Sequence, residues 1–233
     1  QCGPIRHRAS RPENAPTRLS VRPTAMPSPA IPPDAPIQTV FRALASERSR
    51  NRQIAGDVLA AYREGRKVLV LSERTDQLPL LQAELGDAVE HCFVLHGRLS
   101  KRQRATVLAE LDALDGSLAR VILATGRLIG EGFDHPPLDT LVLAMPISWK
   151  GTLQQYAGRL HRAHADKRDV RIHDYAEIDH PQLARMWERR QRGYRAMGYT
   201  IESMETRSGN RHQRLPPVTV TGCRPSAMNG RDQ

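Results

Sequence analysis

Five short apolar runs recur along the chain: KVLVL (67–71), HCFVLHG (91–97), RVILATG (120–126), DTLVLAMP (139–146) and DVRIHDY (169–175). Such runs, β-branched and without polar alternation, suit strands buried on both faces. The stretches between them change period. Residues 46–63 place Ile54, Val58, Leu59 and Tyr62 at helical spacing and end near Gly65. A helix is expected over Asp76–Leu85. Another follows Ser100, an N-cap residue, with Val107, Leu108, Leu111 and Leu114 on its apolar face. GTLQQYAGRLHR (151–162) and the Arg-rich stretch 180–197 also read as helices. Strands alternating with helices predict an α/β fold, a parallel β-sheet with helices on both faces. Ligands in such sheets bind outside the carboxyl ends of the strands. That rim holds Ser72, Glu73, Arg74, His96, Gly97, Thr125, Gly126 and the segment 145–150.

The alternation does not fill the 233 residues. Nine of the 17 prolines lie in the first 36 positions, with little apolar periodicity, so 1–36 reads as a disordered Pro-rich arm. A disordered basic tail is expected over 203–233, leaving one domain over 37–202. The net charge of +10 favours a polyanionic partner such as nucleic acid, with an Arg-rich background composition as the plainer alternative. Cys2, Cys92 and Cys223 are isolated, which excludes a readable zinc site or disulfide framework and fits a reducing, cytoplasmic setting. No apolar run approaches the ~18–20 residues of a membrane span.

Two stretches carry chemistry. In VILATGRLIGEGFD (121–134) a buried strand runs into Thr125-Gly126 and then Gly130-Glu131-Gly132-Phe133-Asp134. Glycines beside a hydroxyl and a carboxylate let backbone amides approach a phosphate or ribose. Asp134 can accept from a ribose hydroxyl or orient an arginine. The alternative is an ordinary strand-to-helix loop. In QQYAGRLHR (154–162), Arg159 and Arg162 share a helical face and can fork onto phosphate oxygens. Gly158 inside that helix costs roughly 1 kcal/mol against alanine, so something is expected to pack close to its backbone. The alternative is a solvated basic face.

Weaker candidates are His96-Gly97 at a strand end, and Trp149 and Lys150, which can stack on a base and touch a phosphate. The arginines at 185, 189, 190, 192 and 195 read as a solvated helix face, with a nucleic-acid surface as the alternative. No G-x-x-x-x-G-K-[ST] loop occurs, and no acidic pair follows a strand so as to hold Mg²⁺.

In this order the motifs resemble the second RecA-like domain, the helicase C-terminal domain, of superfamily 2 DEAD/DEAH-type helicases. KVLVLSERTDQL resembles motif IV, ILATGRLIGEGFD motif V and QQYAGRLHR motif VI. Within the superfamily, LDTLVLAMPISWKGTLQQYAGRLHR is most similar to bacterial restriction-enzyme R-subunit or conflict-system helicases. The resemblance implies a RecA-like sheet and an ATP cleft shared with a first RecA-like domain, in cis or in trans, which would hold most of the ATP and Mg²⁺. It implies that Arg162 and Arg159 are catalytic, Arg162 as the finger on the γ-phosphate. Gln155, Gly158, Gly132 and Asp134 would bind ATP. Thr125, Gly126, Ser72, Arg74, His96, Gly97 and Lys150 would contact nucleic acid, DNA ahead of RNA. It implies no metal ligand in this chain and no membrane.

The first domain's motifs are absent from this sequence, so the chain alone is expected not to hydrolyse ATP. The expected function is the C-terminal half of an ATP-dependent helicase or translocase. The alternative is a catalytically inactive nucleic-acid-binding or partner-docking module, or a truncated gene remnant.

Overall fold

The computed structural model of the chain describes residues 18–28, 30–126, 133–147, 152–162, 164, 167 and 169–206. Its strands are β1 (Arg18–Ala25), β2 (Lys67–Ser72), β3 (Cys92–Leu95), β4 (Arg120–Thr125), β5 (Thr140–Leu143), β6 (Asp169–Ala176), β7 (Thr200–Ile201) and β8 (Glu205–Thr206). Its helices are α1 (Ile37–Ser46), α2 (Arg48–Arg63), α3 (Gln77–Leu85), α4 (Lys101–Ala113), α5 (Thr152–Leu160) and α6 (Pro181–Ala196). The strands form one sheet in the order β3-β4-β2-β5-β6-β1-β7, with β8 also on β1. Every pairing is parallel, as the alternation of strands and helices predicts.

Side chains along each strand alternate between two cores. Leu69, Leu71, Ile122, Ala124, Leu141 and Leu143 face one way and pack on Leu111 of α4, Leu153, Tyr156, Ala157 and Leu160 of α5, and Trp187 and Tyr194 of α6. Val68, Val70, Val121, Leu123 and Val142 face the other way, onto Ile54, Val58 and Ala61 of α2 and Leu78, Leu81 and Leu85 of α3. The strand runs are apolar throughout because both faces are covered. A smaller cluster, Val40, Leu44, Ala45, Met145 and Leu183, seats α1 against the end of β5 and the start of α6.

Ser100 caps α4 as expected and forms a capping box with Gln103: its hydroxyl accepts from Gln103 N at 3.2 Å, and Gln103 Oε1 accepts from Ser100 N at 2.9 Å.

The expectation of an unstructured arm over 1–36 is corrected from Arg18 onward. Residues 18–25 pair with all of β6, from Arg18↔Asp169 to Ala25↔Ala176. RLSVRPTA does not look like an inner strand because Pro23 removes a ladder donor. Pro23 falls between the two short outer pairings, Ser20–Val21 with β7 and Thr24–Ala25 with β8, where no partner is lost. The expected tail boundary also moves, since Glu205–Thr206 still belongs to the sheet. The rest of both arms lies outside the described residues.

Buried ion pairs fasten the helices to the carboxyl end of the sheet. Arg190 of α6 forks onto Asp174 of β6, Nε to Oδ2 at 2.7 Å and Nη2 to Oδ1 at 2.9 Å, and both side chains are 1% exposed. Tyr194 Oη donates to the same carboxylate at 2.6 Å. The solvated face expected for the α6 arginines therefore does not extend to Arg190. Arg50 of α2 pairs with Glu177 at 2.8 Å and also donates to the Ala144 carbonyl. Removing one partner of a buried pair leaves an uncompensated charge. Asp174→Asn is expected to lower unfolding stability by about 3 kcal/mol, read as a fall in the urea midpoint. A change under about 0.5 kcal/mol would show that the pair does not anchor α6.

Candidate functional site

The rim is set by where the strands stop. Ser72 ends β2 and lies beside Thr125, which ends β4. Ser72 is 1% exposed, and its hydroxyl accepts from Arg74 N at 3.0 Å and donates to Gln77 Oε1 at 2.7 Å. Gln77 in turn donates to Asn51 Oδ1 at 2.9 Å, and Asn51 to the Ala45 carbonyl at 2.8 Å. This relay runs from α1 to the rim, and the Ser72 hydroxyl shapes the turn that presents Arg74. Arg74 forks onto Asp76, Nε at 3.0 Å and Nη2 at 2.6 Å. His96 turns its Nδ1 onto the Arg98 amide at 3.2 Å, beside exposed Gly97.

Gly126 is the tightest point of the rim. A Cβ there would overlap the Tyr156 hydroxyl of α5 and press on Glu73 Oε1, 2.7 Å away. Tyr156 Oη donates to Glu73 Oε1 at 3.5 Å, a long bond. Burial raises the Tyr156 phenol above its ordinary range, and Glu73 adds to this. Desolvation likewise raises the Glu73 carboxyl, offset in part by the Tyr156 bond. One tyrosine thus touches the residue after β2 and the residue after β4.

The arginines lie farther along the same helix. α5 buries Leu153, Tyr156, Ala157 and Leu160, spaced i, i+3, i+4 and i+7, and turns Gln154, Gln155 and Gly158 outward with Arg159 half-buried beside them. The helix stops at Leu160. His161 N then bonds to Gly158 O at 3.2 Å, so Arg162 sits in the turn beyond, not on the helical face expected for it. Lys167 holds that turn, donating from Nζ to Leu160 O at 3.0 Å and to Arg162 O at 2.8 Å. Burial pushes the Lys167 ammonium down to about 8.

Arg162 Nε lies 3.4 Å from Asp134 Oδ1, with the side chains 57% and 43% exposed. Asp134 therefore pairs with an arginine. The expected close packing on Gly158 is corrected: nothing described lies within 4 Å of a Cβ there. Gly132 and Lys150 lie outside the described residues, as does Trp149. No group of three or more His, Cys, Asp or Glu among the described residues could hold a metal ion. No helix among them is long and apolar enough to cross a membrane.

The structure thus gathers Glu73, Gly126 and Tyr156 at one point, and Asp134, Arg162 and Lys167 at another, with α5 running between them. Glu73 is legible in the sequence only as a rim position, and Tyr156 and Lys167 carry no site signal there. Tyr156 reads there as one more apolar position at helical spacing, and Lys167 stands in a polar stretch with no motif.

Residues 51–164 match the model of the helicase conserved C-terminal domain family. This stretch of the chain is a helicase conserved C-terminal domain. It is 36% identical over 84 residues to the uncharacterized protein 108L of Invertebrate iridescent virus 3, a match covering 36% of this chain and 75% of that protein. Among solved structures it is similar to T4 UvsW, with a TM-score of 0.63 and 14% identity over 81% of this chain. The chain spans 42% of the length of UvsW. The C-terminal part of the Fun30 ATPase domain matches at a TM-score of 0.43, with 18% identity, over 53% of this chain and 41% of that one. The UvsW likeness is one of fold, a RecA-like parallel sheet, and the helicase assignment of residues 51–164 rests on the sequence match.

The geometry sets two expectations. Gly126→Ala forces its methyl onto the Tyr156 hydroxyl and is expected to cost about 1–3 kcal/mol, with part of the loss recovered in Gly126→Ala/Tyr156→Phe, since Glu73 Oε1 still lies 2.7 Å from the added carbon. A double variant no more stable than the single one would mean that the contact does not set the fit. The second expectation concerns His135, 6% exposed, whose Nε2 lies 3.3 Å from Arg120 Nη1. Burial, then the Arg120 charge, push its imidazole down to about 4. The unfolded chain takes up this proton near pH 6.5 and the folded chain only near 4. Stability is therefore fully present above pH 6.5 and lost as pH falls toward 4. Urea midpoints should drop across that window, by an amount on the order of 2 kcal/mol, and His135→Gln should flatten that part of the profile.

Proposed function

We propose that this chain is the C-terminal half of an ATP-dependent nucleic-acid helicase or translocase, acting on DNA in the cytoplasm, with a first RecA-like domain completing its ATP cleft. The observation that carries this reading is the Arg162–Asp134 pair, which joins the end of the Thr-Gly…Asp loop to the arginine turn after α5. A partly exposed guanidinium beside one carboxylate can swing onto a phosphate with little loss, because an exposed pair is worth ~0–1 kcal/mol.

In this reading Arg162 neutralises charge developing on the γ-phosphoryl group as it transfers, the arginine-finger device. Arg159 and Gln155, one turn earlier, steady the nucleotide. The open space at Gly158 leaves room for the nucleotide or the facing domain to approach the helix backbone. The donors present suit an anion: arginines and an amide, with Lys167 fixing the turn. Bound ATP would supply the phosphoanhydride whose cleavage drives the motion, with Mg²⁺ held by its phosphates and the first domain.

Thr125 and Gly126 face the nucleic-acid side, together with Arg74, His96 and Gly97 of the same rim. The Tyr156–Gly126–Glu73 contact sets Gly126 against α5, and the Arg162–Asp134 pair sets Asp134 against the turn that follows it, so the two sides are linked through one helix. Closure of the two domains would then couple hydrolysis to movement along the strand.

The test supplies a first RecA-like helicase domain, fused or in trans, and measures nucleic-acid-stimulated ATPase. Activity is expected only with that domain present, and Arg162→Ala is expected to lower kcat by about 10³-fold or more. Arg162→Lys should not restore it, because a point charge does not reproduce the planar fork. Full activity in the complemented Arg162→Ala protein would remove the finger assignment. No ATPase in any complemented form, with nucleic-acid binding intact, would favour the catalytically inactive binding module.

A further inference from the structure

A pocket of about 840 Å³ opens at the carboxyl rim, between α1 and α6, away from the arginine turn. Two helices build it by their spacing. Gln182, Arg185, Met186 and Arg189 of α6 stand at i, i+3, i+4 and i+7, on one face. Across from them, α1 contributes Ile37, Gln38 and Phe41. The wall between is Glu73, Arg74, Pro146, Ile147, Thr152 and Tyr156. The chemistry is graded. Phe41, Met186 and Ile37 belong to the margin of the cluster that seats α1, so they form an apolar patch already supported from behind. Gln182 is committed, donating to Ala35 O at 2.8 Å and Pro33 O at 3.2 Å, which fixes the entry into α1.

The charges sort in the same way. Arg74 is matched by Asp76, and Glu73 carries the Tyr156 contact. Arg185 and Arg189 are exposed, and neither has an ion pair or hydrogen bond among the described residues. They lie about 6 Å apart along the helix axis, just over one turn. An aromatic and apolar floor beside two uncommitted guanidiniums fits a flat heterocycle joined to phosphates. It suits a peptide less, since no acceptor row or sheet edge is offered.

We propose that this pocket takes one unpaired nucleotide of a nucleic-acid strand, its base against Phe41 and Met186 and its flanking phosphates on Arg185 and Arg189. This rests on the nucleic-acid reading above and extends it. The strand would leave the Thr125-Gly126 rim past Arg74 and enter between α1 and α6. The C-terminal helix then becomes part of the track, and Phe41 a marker of position on it.

The experiment measures fluorescence anisotropy of a labelled oligothymidylate with the full chain, over about 50–200 mM salt. Wild type is expected to bind with a steep salt dependence. Arg185→Ala/Arg189→Ala should make the slope of log K against log salt shallower by about 1.4, two single-strand phosphate contacts. Phe41→Leu keeps the apolar packing of α1 and should weaken binding about fivefold or more with the slope unchanged. Arg192→Ala, on α6 outside the pocket, should change neither. Thermal melts of all variants separate lost binding from lost folding.

If wild type does not bind even at low salt, the nucleic-acid reading itself fails. If wild type binds but both pocket variants match it in slope and affinity, that reading stands and the pocket assignment is overturned. It is also overturned if free thymidine monophosphate displaces the oligonucleotide as well as a longer strand does, or if the pocket variants alter only association with a first RecA-like domain.

Discussion

Two arginines that never meet solvent hold the carboxyl end of this sheet in place. Arg50 reaches from α2 to Glu177 and to the Ala144 carbonyl, so one side chain ties down the first residues beyond both β6 and β5. Arg190 reaches from α6 to Asp174 and also donates to the Tyr175 carbonyl at 3.3 Å. Charges this deep are costly to desolvate and return that cost only with good geometry and further hydrogen bonds. They confer position more than net stability here. The helices that carry the rim are thus each fixed by one buried arginine, α2 at the ends of β5 and β6 and α6 on β6 itself. A hydrophobic core alone would let them slide.

On that scaffold α5 works as a strut. Its buried stripe locks it to the sheet, and its tyrosine reaches back to Gly126 while its following turn, held by Lys167, presents Arg162 to Asp134. The contacts at the two ends differ in kind. At Gly126 the fit is steric, with no room for a methyl group. At Asp134 it is an ion pair open to water. The first is fixed by shape and the second by a charge pair that water can screen.

Much of the fold is legible in the sequence because the inner strands are covered on both faces. KVLVL and RVILAT have no polar alternation to confuse with a surface strand, and Ser100 marks the start of α4. The failures have physical causes. β1 escapes notice because its ladder tolerates Pro23 at a gap between two short partners, which no local pattern reveals. Arg190 looks like its exposed neighbours because only the fold brings Asp174 beneath it. The site is legible as a spacing, Thr125-Gly126, Asp134, Arg159, Arg162. Its supports are not: Tyr156 and Lys167 act through contacts made across the chain, and the end of α5 at Leu160 depends on one of them.

The +10 charge separates in the structure into two populations that composition cannot distinguish. Arg50, Arg120 and Arg190 are buried and engaged, and breaking any of these contacts would strand a partner. Arg162, Arg185 and Arg189 are exposed and held weakly or not at all by the described residues. A buried pair resists exchange because leaving it exposes an uncompensated charge to a low dielectric. An exposed one exchanges partners at a cost near thermal energy. The arginines able to exchange partners are thus the ones that contribute least to the stability of this chain, and the buried ones fix the helices that carry them.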